Sequence, residues 1–359
     1  MTPDASKTPG ATAAPAAPSA PDEDGKPAGP PSRLRRIARR TITANESWTI
    51  FALIIIMAFF EIKRPTEFLT TTNLSLIAEN ASPLLVMAIG QTFVILTAGI
   101  DLSVGSVLVL SSVIADDYYQ SHGGAAGGWL TVIVGALIGI AAGGGWGALQ
   151  GFLVSKAKIP PLISTLGGFG AALGASYLIS GGTDLGAPPD PLKNTIGLGT
   201  VGGVSWLIVI SFLVTLVFGL ILAYTRFGRY TYAIGSNPEA GRRAGIAVDR
   251  HLIKVYLLAG ALSGLAGLMS LAFNDGTTIT GHTTDNLTVI TGVVLGGASL
   301  FGGRGSMLGT FIGIFIPQVL TTGLQIIGLN QYWQQVAIGV VLVAAVYLDQ
   351  FRRRLGERT

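Results

Sequence analysis

Apolar residues in this chain neither alternate with polar ones nor recur along one helical face. They come in long stretches separated by short polar breaks. A helix needs roughly 20 such residues to cross the hydrocarbon of a bilayer. Counted that way, the chain offers ten candidate spans, centred on 46–62, 74–96, 100–115, 129–154, 160–181, 205–224, 255–273, 286–300, 307–326 and 334–348. The third, eighth and tenth are short, which predicts tilted, re-entrant or bundle-buried helices rather than plain lipid-facing ones. The pattern predicts an all-α polytopic membrane protein with about ten transmembrane helices.

Composition narrows the function classes. Only 12% of the 359 residues are charged, and mean hydropathy is +0.58. Soluble domains carry roughly 25% charged residues, so half that supply covers this chain only where lipid covers the rest. The absence of Cys excludes disulfides, thiolate zinc sites and Cys nucleophiles. His122, His251 and His282 have no metal-ligand spacing, so neither a metal nor a cofactor is expected. A net charge of +4 is too small to point to nucleic acid.

Where the charges fall matters more than their sum. Residues 1–32 hold eight Pro and eight Ala with almost nothing large enough for a core, and are expected to be a disordered cytoplasmic tail. Arg33, Arg35, Arg36, Arg39 and Arg40 then precede the apolar run from Trp48 to Phe60, as in a signal peptide. Glu61, Lys63, Arg64 and Pro65 come after it instead of a small-residue cleavage site, so this reads as an uncleaved first span. The transmembrane domain is expected over 33–350, with a basic cytoplasmic tail over 351–359. Threading ten spans leaves only Lys63, Arg64 and Lys193 outside and the other twenty of the 23 Lys and Arg inside. The positive-inside rule therefore supports ten spans with both termini cytoplasmic, because one span more or fewer would scramble that asymmetry.

Glycines recur four apart in Gly143, Gly147 and Gly151, in Gly170 and Gly174, and in Gly305, Gly309 and Gly313. Such spacing predicts stripes where helix backbones approach closely. Gly143, Gly145 and Ala148 fit a G-x-G-x-x-A pattern, but no strand precedes them and they lie within a span, which argues against nucleotide binding.

Three polar segments interrupt the apolar pattern. The longest, the cytoplasmic loop 226–254, encodes its own short helix. Asn237 is a favoured N-cap, Pro238 suits the first helical position, Glu239 complements the positive helix end, Arg242 and Arg243 the negative one, and Gly245 can close it. About two turns are marginal alone, so the helix needs either a partner protein or anionic headgroups to lie on. The second segment is Gly99-Ile-Asp101-Leu-Ser103-Val-Gly105-Ser106, on the cytoplasmic side between the second and third spans. A carboxylate amid apolar sequence sits at a helix break or faces the protein interior. Asp101 is expected to cap the third span by accepting from Ser103 or Val104, with contact to substrate or partner as the alternative. The third segment holds Gly302, Gly303, Arg304 and Gly305, a tight turn with Ser306 placed to cap the ninth span. No P-loop pattern occurs in the chain.

In order and spacing, G-x-D-L-S-x-G-S over 99–106, A-x-G-x-N-x-x-A over 233–240, S-L-F-G-G-R-G-S over 299–306 and Trp333-Gln334-Gln335 resemble the membrane-spanning permease subunit of the ribose, xylose and galactose class of ABC sugar importers. The likeness runs from about Asn73 to Asp349. It implies a translocation path for a monosaccharide in the bacterial plasma membrane, and no catalytic residues on this chain. It also implies that Asn237, Pro238, Glu239, Ala240, Arg242, Arg243 and Gly245 form a coupling helix docking on a separate ATPase subunit. The implied partners are ABC ATPase subunits, an extracytoplasmic sugar-binding protein that selects the sugar, and a second permease copy.

Asn80, Gln91 and Thr92 in the second span are candidates for a weakly polar path, against the alternative of helix-to-helix hydrogen bonding. An ion-coupled sugar symporter would also have about ten spans, but would bury an ionisable coupling residue, for which Glu79 is the lone case. An intramembrane enzyme would need a catalytic set that three loop histidines cannot supply.

Overall fold

The computed structural model describes residues 44–356; the tail expected over 1–32 lies outside them, as does the end of the basic segment 351–359. Among the described residues the chain is helical apart from one two-stranded hairpin. The helices are α1 Ala44–Lys63, α2 Thr71–Leu96, α3 Val104–Ser121, α4 Trp129–Ser155, α5 Pro161–Ser180, α6 Trp206–Tyr224, α7 Arg226–Ser236, α8 Pro238–Arg243, α9 Val248–Asn274, α10 Asp285–Leu295, α11 Met307–Gly313, α12 Phe315–Ile326 and α13 Gln331–Gly356. The hairpin pairs Thr200–Val201 with Val204–Ser205 just before α6.

Six helical stretches among the described residues are long and apolar enough to cross a membrane: α2, α4, α5, α6, α9 and the run Met307–Ile326, with shorter apolar stretches at Asp285–Leu295 and Tyr332–Tyr347. The all-α polytopic class is plain. The short third and eighth candidate spans correspond to α3, almost wholly buried, and to α10, eleven residues long. At 1.5 Å per residue α10 falls well short of the bilayer.

Burial sorts these helices into layers. The most apolar stretch of α2 is 89% buried and that of α9 78%, against 17% for α6 and 28% for α5. Helix α9 is the scaffold, packing on α4, α2 and α3, while α4, α5 and α6 turn their Leu, Ile and Phe outward. Lipid takes the place of a covering layer there, since exposed side chains such as Leu137, Leu178 and Phe212 have no use for water.

The α4–α9 seam explains part of the glycine pattern. A Cβ added at Gly143 would stand 2.4 Å from the Gly260 carbonyl oxygen, one at Gly147 2.1 Å from that of Tyr256, and one at Gly151 2.8 Å from the Ile253 Cα. Gly309 and Gly313 make the same kind of seam between α11 and α10, against the carbonyls of Gly296 and Gly292. The expectation fails for Gly170 and Gly174, where a Cβ meets nothing within 4 Å; they lie on the outer part of α5, where spacing alone cannot tell a seam from a lipid-facing stripe. Gly305 belongs to a turn rather than to a helix stripe, with φ +150°.

Candidate functional site

The three polar segments, far apart in sequence, meet. Helix α2 ends at Leu96, whose carbonyl accepts the Gly303 N–H at 2.9 Å. A Cβ on Gly302 would lie 2.8 Å from Ala98 and from the Gly235 oxygen, and one on Gly303 2.4 Å from the Ser236 hydroxyl. A Cβ on Gly235 would collide with the Leu96 carbonyl at 1.7 Å. Both Gly302 and Gly303 also hold positive φ. The Tyr232 hydroxyl donates to the Gly305 oxygen at 2.8 Å, and Ser306 caps α11 through the Gly309 N–H. The turn around exposed Arg304 is thus wedged between the end of α2 and the end of α7, at a distance that only glycine permits.

From this junction projects α8. Asn237 Oδ1 accepts the N–H groups of Glu239 and Ala240, both at 3.0 Å, with Pro238 at the first helical position, and Gly245 leaves the helix at φ +82°. Gly241 faces inward against Ile234, Ile246 and Val248, whereas Asn237, Pro238, Glu239, Ala240, Arg242, Arg243 and Gly245 are exposed. The amphipathic helix α7, which the sequence reading did not resolve within the loop, docks on the start of α9 through Thr231, hydrogen-bonded to His251 Nε2 at 2.9 Å, and through Phe227, packed with its ring centre 4.6 Å from that of the same imidazole.

Helix α8 is also held by charge. Arg242 donates to Asp249 at 3.2 Å and to Glu239 at 3.4 Å. Asp249 also receives Lys156 and Lys158, each at 3.2 Å, from the α4–α5 connection, where Lys158 adopts a left-handed φ of +59°. Asp249, then Glu239, hold the Arg242 guanidinium above its ordinary pKa. This charge serves the chain internally; among the described residues Arg243 makes no ion pair.

Asp101 is 2% exposed. Its Oδ1 accepts both the N–H (2.8 Å) and the hydroxyl (2.6 Å) of Ser103, as the capping expectation required in part. Helix α3 begins only at Val104, so the carboxylate fixes the turn that leads into the helix instead of bonding its first turn directly. The segment is buried: Ser103, Gly105 and Ser106 are all covered. A Cβ on Gly99 would stand 2.7 Å from the Tyr256 hydroxyl, and one on Gly105 2.8 Å from the His282 carbonyl, so α3 starts against α9 and the start of α10. Asn286 seals the contact by donating to the Leu102 oxygen at 3.0 Å.

The three path candidates separate. Asn80 donates to Leu76 of its own helix. Thr92 meets Thr310 of α11 at 2.7 Å, a helix-to-helix hydrogen bond. Gln91 has no exposure and no hydrogen-bond partner at either end of its amide among the described residues.

Two features escaped sequence reasoning. Helix α3 runs past the end of the third candidate span, so Asp116 is fully buried, with Oδ1 taken by Gln120 and Oδ2 unpartnered; Glu79 is not the only buried or half-buried carboxylate. His282 joins Ser270 (2.7 Å to Oγ) to Asp285 (2.7 Å), bracing the last turns of α9 to the first of α10. Their order matches a nucleophilic triad, but Ser270 is 4% exposed and its oxygen already accepts from Asn274, so the trio serves as a brace. No group of acidic and His side chains able to hold a metal occurs among the described residues.

Apolar helices with lipid-facing outer surfaces, a buried polar interior and one water-facing end built from a capped, charge-braced helix define a multi-pass inner-membrane permease. Over residues 73–346 the chain matches the family described as branched-chain amino acid transport system permease components, and it belongs to that family. It is 33% identical to the fructose import permease protein of Rhizobium meliloti over 85% of each chain. It is 35% identical to the ribose import permease protein of Escherichia coli K12, over 85% of this chain and 93% of that one, and 32% identical to the D-allose transport system permease protein of the same strain, over 84% and 90%. No solved structure matches it.

Proposed function

We propose that the chain is the permease subunit of an ATP-binding-cassette importer and forms half of the path for a monosaccharide of the ribose, fructose or allose kind. Two copies face each other in the bacterial plasma membrane, each with ten spans and both termini inside. Two ATPase subunits bind the cytoplasmic face, and an extracytoplasmic binding protein delivers the sugar. Relatives whose names are those of ribose, fructose and allose permeases support the substrate class, and the twenty-to-three division of Lys and Arg supports the topology.

The observation that carries the proposal is α8. A helix of six residues cannot stand alone; here it is capped, braced by Asp249 and seated beside the junction of the α2 end, the α7 end and the Arg304 turn, with its outer residues exposed. Closure of the ATPase subunits pushes on α8, the junction passes the movement to the ends of α2, α7 and the turn before α11, and the path reopens on the other side. Differential contact with the open and closed ATPase is what couples the two. Replacing Arg243, which has no ion pair among the described residues, by Glu tests this. The complex is expected to assemble in the membrane and hydrolyse ATP while uptake falls, and fully coupled uptake by Arg243→Glu together with Ala240→Arg would remove the assignment.

A second reading, an ion-coupled transporter, draws on Asp116, whose unpartnered carboxylate oxygen is the kind of group such transporters bury, besides half-buried Glu79.

A further inference from the structure

Gln91 carries the one side chain on α2 that the fold buries completely and leaves without any hydrogen bond among the described residues, at both its oxygen and its nitrogen. A buried amide in that state is costly, and most buried polar atoms find a partner in protein or water. Its neighbours fix its direction. Gly90 faces α9, where a Cβ would stand 2.8 Å from Ala259. Thr92 faces Thr310 of α11. Phe93 packs with its ring 6.3 Å from Phe218 of α6 and 5.6 Å from Phe227 of α7. At about 100° per residue, Gln91 leaves the helix on the side opposite Phe93, between α9 and α11. Helix α10 also packs on α2. Leu84, Met87 and Ile95 share the face, and all are buried, so the amide is a single polar group in an apolar stripe.

Helix α10 is also short and interrupted. It starts at Asp285 behind the Ser270–His282–Asp285 brace and stops after eleven residues at Gly296 and Gly297, the latter at φ +91°. Short, interrupted helices beside an uncharged polar group are how membrane proteins make a passing-place for a polar solute without a charge in the bilayer.

On the reading of the chain as a monosaccharide permease, we infer that Gln91 is the hydrogen-bonding station of the path on the cytoplasmic side, closed in this conformation and opened by displacement of α10 from α2. An amide offers two donors and two acceptor lone pairs, which matches vicinal hydroxyls that each donate and accept. A neutral amide binds them weakly, which suits a solute that must leave again. The tight choice of sugar stays with the binding protein.

The experiment uses the full chain purified with its ATPase and reconstituted with binding protein, and measures uptake of labelled D-ribose, D-fructose and D-allose, ATP hydrolysis and melting temperature. Gln91→Met keeps the volume and removes the amide; Gln91→Leu is the second apolar variant should the first not fold. The expected result is a melting temperature equal to or above that of the unmodified protein, binding-protein-stimulated hydrolysis retained, and uptake reduced about tenfold, the scale of one or two lost hydrogen bonds. Unchanged uptake in either variant overturns the inference. So does a lowered melting temperature with unchanged uptake per folded molecule, which would make Gln91 the anchor of a resident water. If the unmodified complex carries none of the three sugars, the permease reading fails instead, and the melting temperatures still decide whether Gln91 serves folding.

Discussion

Arg242 and Asp249 are joined at 3.2 Å across seven residues, and that bond ties the short exposed helix α8 to the first turn of α9. Lys156 and Lys158 reach the same carboxylate, so the α4–α5 connection is fastened at the same point. Exposed ion pairs contribute little to stability. Their use here is geometric: one carboxylate makes three segments move together.

Asp249→Asn should therefore leave expression and melting temperature close to those of the unmodified protein while loosening α8. Uptake per ATP hydrolysed is expected to fall several-fold in proteoliposomes, and Asp249→Glu to restore part of it. A variant that keeps full coupling would show that α8 needs no tie to α9.

The α4–α9 seam gives a packing prediction with its own control. Gly147→Val places atoms where the Tyr256 carbonyl stands 2.1 Å away from the first added carbon, so the helices must separate. Overpacking of this kind costs about 1–3 kcal/mol or more, and the variant is expected at low level in the membrane fraction. Gly145→Ala, where a Cβ meets nothing within 4 Å, should accumulate normally. Quantitative immunoblots of membranes compare the two.

Asp101 holds Ser103 by two hydrogen bonds at the start of α3. Asp101→Ala strands two buried donors at about 1–3 kcal/mol each, and a lower melting temperature of the purified protein is expected. Asp101→Asn retains an acceptor oxygen and should lose less. Equal stability of all three proteins would return the carboxylate to a role in contact with substrate or partner.

How much of this was legible beforehand differs by element. The α8 cap was readable because Asn237, Pro238 and Gly245 act through their own backbone, and the same holds for Ser306. Long-range partners were not. Nothing in the spacing of Gly143, Gly147 and Gly151 distinguishes them from Gly170 and Gly174, since a seam depends on what lies opposite. The junction of Leu96, Gly235 and Gly303 joins residues distant in the chain, and the glycine and serine enrichment of each segment was its only trace. Asp116 was missed because hydropathy falls at Asp116-Asp117-Tyr118 while the helix continues, protected by Gln120 and by the packing of Tyr119 on Val132.

Asp116 separates the two readings of transport. Asp116→Asn keeps the shape and removes the ionisable group. In an ATP-driven permease, uptake should be unchanged and stability equal or higher, because a carboxylate with one unpaired buried oxygen is relieved. Loss of uptake with the protein still folded would move the weight to ion coupling.

The most direct measurement of the central claim is the energy source of uptake in proteoliposomes holding this chain and its co-purified ATPase. Labelled D-ribose, D-fructose or D-allose should accumulate only with ATP at the cytoplasmic face and the binding protein at the other, and should be indifferent to ionophores that collapse proton and sodium gradients. Accumulation driven by an imposed ion gradient in the absence of ATP would contradict the account.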